Sequence, residues 1–467
     1  MVKQKKKVGL SKGDYTQGPI LAPLLSIGFS LLIGGLLNKT YLFADKLIIG
    51  RFSGDPYAIG AIGSAGSPVS LLTGVIFGLA IGNNVIVARR FGAKDYRGVS
   101  ETLHTSVIFS SLAGLVAAII GTIFCTPLLN LIGTKAEFFA GARSYLMVYF
   151  WGIPFSATYN YGAGVLRGTG NQSVPTFVLF ISGLINVVLN VVFVAAFGMG
   201  TAGVAIATVI SQAYSAIHVL FSLSRCDERF AFRFSRLRLN PQLLKAILLL
   251  GIPICLQNSI ASITSLVTSS ARNTLEAEAI TAFSVSSTIV SFTNAVSCAF
   301  TVSAIIAFVG QNWGARNFDR VKKCMLLSVA ITTVLAVLMS IPQIIFSEFL
   351  IKMFIDAETV GANLVIEYTK DIMIISLVCE LLHGFSNMLG SFARATGHTM
   401  TPMVSSLLTS TVVHLIWCLV FFPMPRLHTP VGYSIIGPFS AILTIILMSV
   451  FAAMIFKREK RKTEQNS

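Results

Sequence analysis

Charge is what this chain has least of. Only 12% of its 467 residues are Asp, Glu, Lys or Arg, about half of the ~25% usual in soluble domains. With 54% hydrophobic residues and a mean hydropathy of +0.77, the composition excludes a separate soluble domain. CxxC pairs are absent and the seven cysteines fall mostly inside apolar runs. A disulfide or zinc framework is thereby excluded, and the cysteines read as small buried apolar residues. The six histidines (His104, His218, His383, His398, His414 and His428) have no metal-ligand spacing. HExxH, a histidine box and an acidic diphosphate-binding motif are also missing, which removes the expected signatures of a membrane enzyme.

What is present is a succession of apolar runs, each of about 20 residues and long enough to cross a hydrocarbon core. Unpaired backbone groups are costly in lipid, so the runs should be helices. Twelve spans are predicted, centred near residues 31, 72, 116, 154, 185, 211, 257, 294, 334, 380, 412 and 444. The basic start "MVKQKKKVGL" precedes a run of full span length without a small-x-small cleavage site, so it reads as leading into a retained first helix. The sequons at Asn38 and Asn171 fall in a span and a loop on the basic side, and read as chance matches.

A net charge of +16 would suggest nucleic acid in a soluble protein. Here topology accounts for it. With both termini cytoplasmic, the cytoplasmic segments hold 26 of the 35 Lys and Arg residues, the bias of the positive-inside rule. A cell-membrane protein with no nucleic-acid partner is expected.

The chain also repeats itself. "RRFGAKDYRGV" (89–99) aligns without gaps with "QNWGARNFDRV" (311–321), matching Gly92 with Gly314 and Lys94 with Arg316. "RGTGNQSVP" (167–175) likewise matches "RATGHTMTP" (394–402). The offsets, 222 and 227 residues, divide the chain into two halves that begin on the same side. The expected fold is therefore all-α integral membrane: twelve transmembrane helices in two six-helix lobes related by a pseudo-two-fold axis along the membrane normal. A basic N-terminal segment (1–18), an N-lobe (19–223), a basic linker (224–242), a C-lobe (243–456) and a basic tail (457–467) follow. Two matched bundles around a cavity suit a transporter that alternates access between the two sides.

Few polar residues interrupt the spans. On span 1, Tyr41, Asn38 and Gly34 lie within roughly 40° of Asp45 around a helix. Intramembrane acids are functional by default, although Asp45 sits late in its run and would also suit a solvated cap near Arg51. Span 5 places Ser182, Asn186 and Asn190 on one face, and span 6 offers Thr208, Ser211 and Gln212. Convergence on a shared pocket competes there with plain interhelical bonding, worth about 0.6 to 2 kcal/mol per contact. The second half does not copy this set: Leu266, Val413 and Trp417 stand opposite Asp45, Asn186 and Asn190. It has its own acid, Glu380, with His383 at i+3 for an ion pair or proton exchange, and Asn387 at i+7. Arg167 and Arg394, at matched positions, read as anchors at the cytoplasmic interface.

The phrases "FADKLIIGRFSG", "ARRFGAKDY", "LRGTGNQSVP", "INVVLNVVF", "GTAGVAIATVISQ" and "FVGQNWGAR" together resemble the multidrug and toxic compound extrusion (MATE) family, in order from about residue 15 to 455. The resemblance implies export of organic cations or other amphipathic compounds in exchange for H+ or Na+. Asp45 matches the family's coupling acid and Asn186 the first polar residue of its fifth-helix motif, while Thr208 and Tyr145 resemble further members of that site. Asn190 departs from the pattern, standing where many relatives carry a second aspartate. The acid some relatives carry on the seventh helix is absent. With one carboxylate among neutral ligands, a single monovalent cation neutralises the site. Na+ would draw on Asp45, Asn186, Asn190 and Thr208; H+ is favoured. Neither cofactor nor partner protein is implied, and a monomer among membrane lipids is expected.

Two other transporter classes compete. A major facilitator would carry a DRxGRR-type loop, which "RRFGAKDYRG" is not. A lipid-linked saccharide flippase of the same superfamily would favour a strongly cationic cavity, and the spans hold few basic residues.

Overall fold

Long apolar runs in lipid satisfy their backbone internally, and this chain is helical with no strand among the described residues. The computed structural model describes residues 14–53, 58–353 and 362–465, leaving outside that description the side chains of 38–44, 46, 47, 50, 51, 59, 67, 263, 266, 303 and 459–465. The main helices are α1 (Leu21–Phe52), α2 (Ala58–Gly92), α3 (Tyr96–Ile123), α4 (136–168), α5 (Ser173–Ala196), α6 (Gly200–Ser224), α7 (Pro241–Arg272), α8 (Ala277–Gly314), α9 (Phe318–Ile345), α10 (Ala362–Ala395), α11 (Met400–Phe421) and α12 (Pro430–Arg458). Ten of these, α2, α3 and α5 to α12, are long and apolar enough to cross a membrane, while α1 carries a shorter apolar stretch at Leu21–Leu37. The protein is a multi-pass helical membrane protein.

Packing within the helices follows membrane rather than aqueous logic. On α3 the buried positions Ser106, Ser110, Gly114 and Ala118 recur at i, i+4, i+8 and i+12, whereas Leu112, Val116, Ile119 and Ile123 are exposed. Small residues let backbones approach where lipid removes any hydrophobic drive between helices. A Cβ on Gly114 would press against the backbone of Pro154 in α4. Prolines inside α2 (Pro68), α7 (Pro253) and α9 (Pro342) interrupt the backbone ladder at those points.

The chain groups into two compact units. The first comprises Met1–Gly18, Ser30–Cys255 and Gly310–Asn317; the second comprises Pro19–Phe29, Leu256–Val309 and Phe318–Ser467. Apart from the helix ends 19–29 and 310–317, this division falls inside α7, downstream of the 224–242 segment that the sequence marks as a linker.

The repeated phrases fold alike. After α2, the amides of Ala93, Lys94 and Asp95 bond back to the carbonyls of Arg89, Phe91 and Arg90; after α8, those of Ala315, Arg316 and Asn317 bond to Gln311, Trp313 and Asn312. Lys94 (φ 60°) and Arg316 (φ 59°) are the two non-glycine residues with positive φ among the described residues, a conformation such residues seldom adopt. The second pair of phrases agrees equally well: Gly170 (φ 87°) and Gly397 (φ 86°) end their helices in the same turn, the usual place for glycine.

Within the first unit the two copies of the first phrase touch reciprocally. A Cβ on Gly92 would strike the Gln311 carbonyl, and one on Gly314 would strike the Arg89 carbonyl. Tyr15 seals the junction. Its amide donates to Gln311 Oε1 (2.9 Å), its hydroxyl donates to the Gly170 carbonyl (2.6 Å), and its carbonyl accepts from Asn312 Nδ2 (3.0 Å). The ring is 6% exposed. Truncating a buried aromatic costs about 3 kcal/mol or more, so Tyr15→Ala should lower the melting temperature of the detergent-purified protein by several degrees. An unchanged melting temperature would show that these bonds of Tyr15 do not hold the junction together.

Candidate functional site

The site is built on α5, where period and polarity coincide. Ser182, Gly183, Asn186 and Asn190 are all buried on one face, which lies against α6. Ser182 Oγ donates to the Ser211 carbonyl (2.8 Å), and Asn186 Nδ2 reaches Thr208 Oγ1 at 3.4 Å. Thr208 Oγ1 in turn donates to the Val204 carbonyl (2.9 Å). Immediately after Asn190 the helix widens to π geometry over Val191–Ala196, a distortion that recurs at functional sites.

Asn190 joins α5 to α1. Its Nδ2 donates to Asp45 Oδ1 at 2.5 Å and to Asn186 Oδ1 at 3.2 Å. Both amide hydrogens are thus committed, and the opposite amide orientation would set oxygen against the carboxylate. The remaining acceptor, Asn190 Oδ1, is buried without a hydrogen-bond partner among the described residues. An unpaired buried carbonyl is expensive and calls for a donor or a cation. No basic side chain forms an ion pair with Asp45 among the described residues.

Asp45, Asn186, Thr208 and Tyr145 line a cavity of about 700 Å³ inside the first unit. Tyr145 stacks on Tyr149 with ring centroids 5.7 Å apart, and both rings line the cavity. The structure places Asp45, Asn186, Thr208 and Tyr145 on one cavity wall, with Asn190 bonded to Asp45 and Asn186 behind it. Asn38 and Tyr41, placed beside Asp45 by helical spacing, lie outside the described residues. Among these, no cluster of His, Cys, Asp and Glu suits a metal.

Glu380 and His383 form a separate group in the second unit. Asn294 Nδ2 donates to Glu380 Oε2 (3.0 Å), and His383 Nδ1 lies 3.8 Å from Glu380 Oε1. Arg394 donates to Gln257 Oε1 at 2.9 Å within the same unit.

The cavity also takes Gln212, which the sequence offers on span 6, and two residues whose place in it sequence reasoning misses, Tyr149 and Arg167. Gln212 Oε1 is a second buried oxygen without a partner among the described residues. Arg167, read from sequence as an interface anchor, lines the cavity with its Nε buried and unpartnered among the described residues. Only its position at the end of α4, four residues before the Asn171 turn, could have hinted at this.

A sequence model of the MatE family matches residues 31–192 and 253–420. The chain is 27% identical over 388 residues to the "Probable multidrug resistance protein YoeA" of Bacillus subtilis, covering 81% of each chain. It is 26% identical over 345 residues to a protein of Shewanella oneidensis named "FAD transporter", covering 72% of this chain and 75% of that one. Among solved structures, one titled "Crystal structure of MATE in the bent conformation" superposes with a TM-score of 0.84 over 98% of this chain and 99% of that one, at 21% identity.

Proposed function

Because the chain belongs to the MatE family of membrane transporters, we propose that it is a secondary antiporter of the cell membrane. It exports organic cations or other amphipathic compounds in exchange for a monovalent cation, with Asp45 as the coupling carboxylate. One observation carries this reading: Asp45, on the wall of a 700 Å³ cavity, is held at 2.5 Å by an asparagine whose own carbonyl lacks a partner among the described residues. The relatives named for multidrug resistance and export support the class of activity.

The coupling step follows from hydrogen-bond inventory. Ionised Asp45 only accepts, so Asn190 must present its NH2 to it. Once a proton arrives, Asp45 becomes a donor, and Asn190 gains by turning its carbonyl toward it. That turn breaks the Asn190–Asn186 bond along α5 and frees Asn186 Oδ1, on the side chain whose Nδ2 contacts Thr208 of α6. A coupling ion drives transport only through unequal affinity for the two conformations, and this exchange of donors supplies the inequality. Asn186 Oδ1 is already engaged by Asn190, which leaves a poor oxygen shell for Na+ and favours H+.

Twelve spans in two lobes, 19–223 and 243–456, complete the proposal, with both termini cytoplasmic and the chain a monomer requiring no cofactor. The ten long apolar helices together with α1 and the continuous helix 136–168 support that count, and the matched turns support the repeat. Efflux of a fluorescent organic cation from proteoliposomes, with ΔpH and ΔNa+ imposed separately, tests the function. Transport under neither gradient would refute it.

Asn190→Ala should leave the fold intact and impair coupling. A hydrogen bond to a charged group is worth about 1.5–3 kcal/mol, so the half-saturating concentration of the coupling ion should shift by roughly tenfold or more. An unshifted ion dependence would remove Asn190 from the mechanism.

A second reading concerns substrate charge. Arg167 brings an unpaired guanidinium nitrogen to the cavity wall, and one relative is named for transport of FAD. An amphipathic substrate with an anionic group would engage it. Competition between a cationic dye and a flavin nucleotide for efflux separates the two readings.

A further inference from the structure

The basic segment between α6 and α7 takes no part in the coupling site, yet it frames a second cavity of about 1060 Å³ within the first unit. Its shape is imposed from below. Phe230 and Phe232 are 2% and 3% exposed, packed into the apolar core that also holds Val99 and Leu103. His104 on α3 pins the next residue: Nε2 accepts from the Arg233 amide (3.1 Å) while Nδ1 donates to the Ser100 carbonyl (2.7 Å). Carbonyls only accept and amides only donate, so this imidazole is the neutral Nδ1–H tautomer. Thr105 holds the far end, donating to the Arg238 carbonyl and accepting from the Asn240 amide, each at 3.2 Å.

Clamped at both ends, the segment presents its arginines to the cavity unequally paired. Beside them Arg97, on α3, is matched by Glu101 (3.1 Å). Arg229 pairs with Asp227 (2.6 Å), holding that carboxyl below the usual range, and lies 3.8 Å over the Tyr96 ring. By contrast, Arg236 has only the Glu228 carbonyl at 3.4 Å, and the Arg238 side chain has no partner among the described residues. The first turns of α3 and α7 also reach the cavity, and both contribute the positive ends of their dipoles.

Two guanidinium forks without a carboxylate partner among the described residues, in a cavity this large, suit a phosphate with substituents better than a simple ion. The apolar neighbours indicate which substituents. Leu239 lines the cavity and is 43% exposed, and Phe234, adjoining Ser235 of the lining, is 78% exposed. Such residues belong at a membrane interface. The segment lies on the side carrying the excess of Lys and Arg, the side that faces anionic cytoplasmic-leaflet lipids. We propose that the cavity framed by Tyr96, Ser100, Arg229, Arg236, Arg238 and Asn240 binds the phosphate headgroup of an anionic phospholipid. The proposal goes beyond the transport reading and does not rest on it.

Native mass spectrometry of the full chain in neutral detergent, supplied with phosphatidylglycerol or phosphatidylcholine, tests it. The wild type should retain phosphatidylglycerol preferentially. Arg236→Gln with Arg238→Gln should lose it by roughly tenfold to thirtyfold, whereas Arg236→Lys with Arg238→Lys should keep most of it, all three melting alike. Equal retention by the Gln variant, or equal retention of phosphatidylcholine, overturns the site. Arginine-dependent binding of inorganic pyrophosphate without any preference for phosphatidylglycerol overturns the lipid as its source.

Discussion

Asp45→Asn should abolish gradient-driven export while leaving the protein folded. The substitution keeps the size and planarity of the side chain and removes only its ability to change charge. Coupling between two sites is typically worth 1–3 kcal/mol, or up to on the order of a hundredfold in affinity, and here one carboxylate would have to carry all of it. Efflux from proteoliposomes should therefore fall about a hundredfold, to the level of protein-free vesicles, under whichever gradient drives the wild type. Exchange of labelled substrate without a gradient should persist, because the cavity, its tyrosines and Arg167 are untouched. The melting temperature should hold or rise, since a half-buried carboxylate bonded only by Asn190 among the described residues is a costly group to keep. Wild-type export by Asp45→Asn would reduce Asp45 to a polar residue that bonds α1 to α5.

Gly314→Leu should have the largest effect on the fold. The Cβ alone would collide with the Arg89 carbonyl, and a backbone atom at a helix end cannot rotate aside as a side chain can. Overpacking usually costs 1–3 kcal/mol; a collision with backbone belongs at or above about 3 kcal/mol. The reciprocal change, Gly92→Leu, meets the Gln311 carbonyl in the same way and should behave alike. Gly66→Ala is the control: nothing stands within 4 Å of its would-be Cβ, so it should be neutral or gain up to about 1 kcal/mol from helix propensity. Melting temperature and monodispersity in detergent report all three. Equal stability of Gly314→Leu and wild type would mean that the two helix ends do not meet as described.

Much of this protein was decided in one dimension. Lipid leaves the backbone few options, so hydropathy alone yields helices and their lengths. The cost of placing polar groups in apolar helices makes Asp45, Asn186 and Asn190 conspicuous, and the 3.6-residue period puts the two asparagines on one face. Repetition of the phrases around Gly92 and Gly314 predicts matched turns, because a sequence that tolerates positive φ at Lys94 also does so at Arg316.

What the linear pattern could not contain are contacts between residues far apart in the chain and the atoms they leave over. Tyr15 looks like part of a basic leader, and only folding sets it against Gln311, nearly 300 residues away. Arg167 reads as an interface anchor because periodicity places it at a helix end and says nothing of the cavity that end faces. The unpaired oxygen of Asn190 depends on where both of its amide hydrogens go, which is settled by α1 and α5 together. Similarly, Arg236 and Arg238 are two basic residues among many in the sequence, and become neighbours in one cavity, with no carboxylate partner among the described residues, because His104 and Thr105 hold the backbone at Arg233, Arg238 and Asn240.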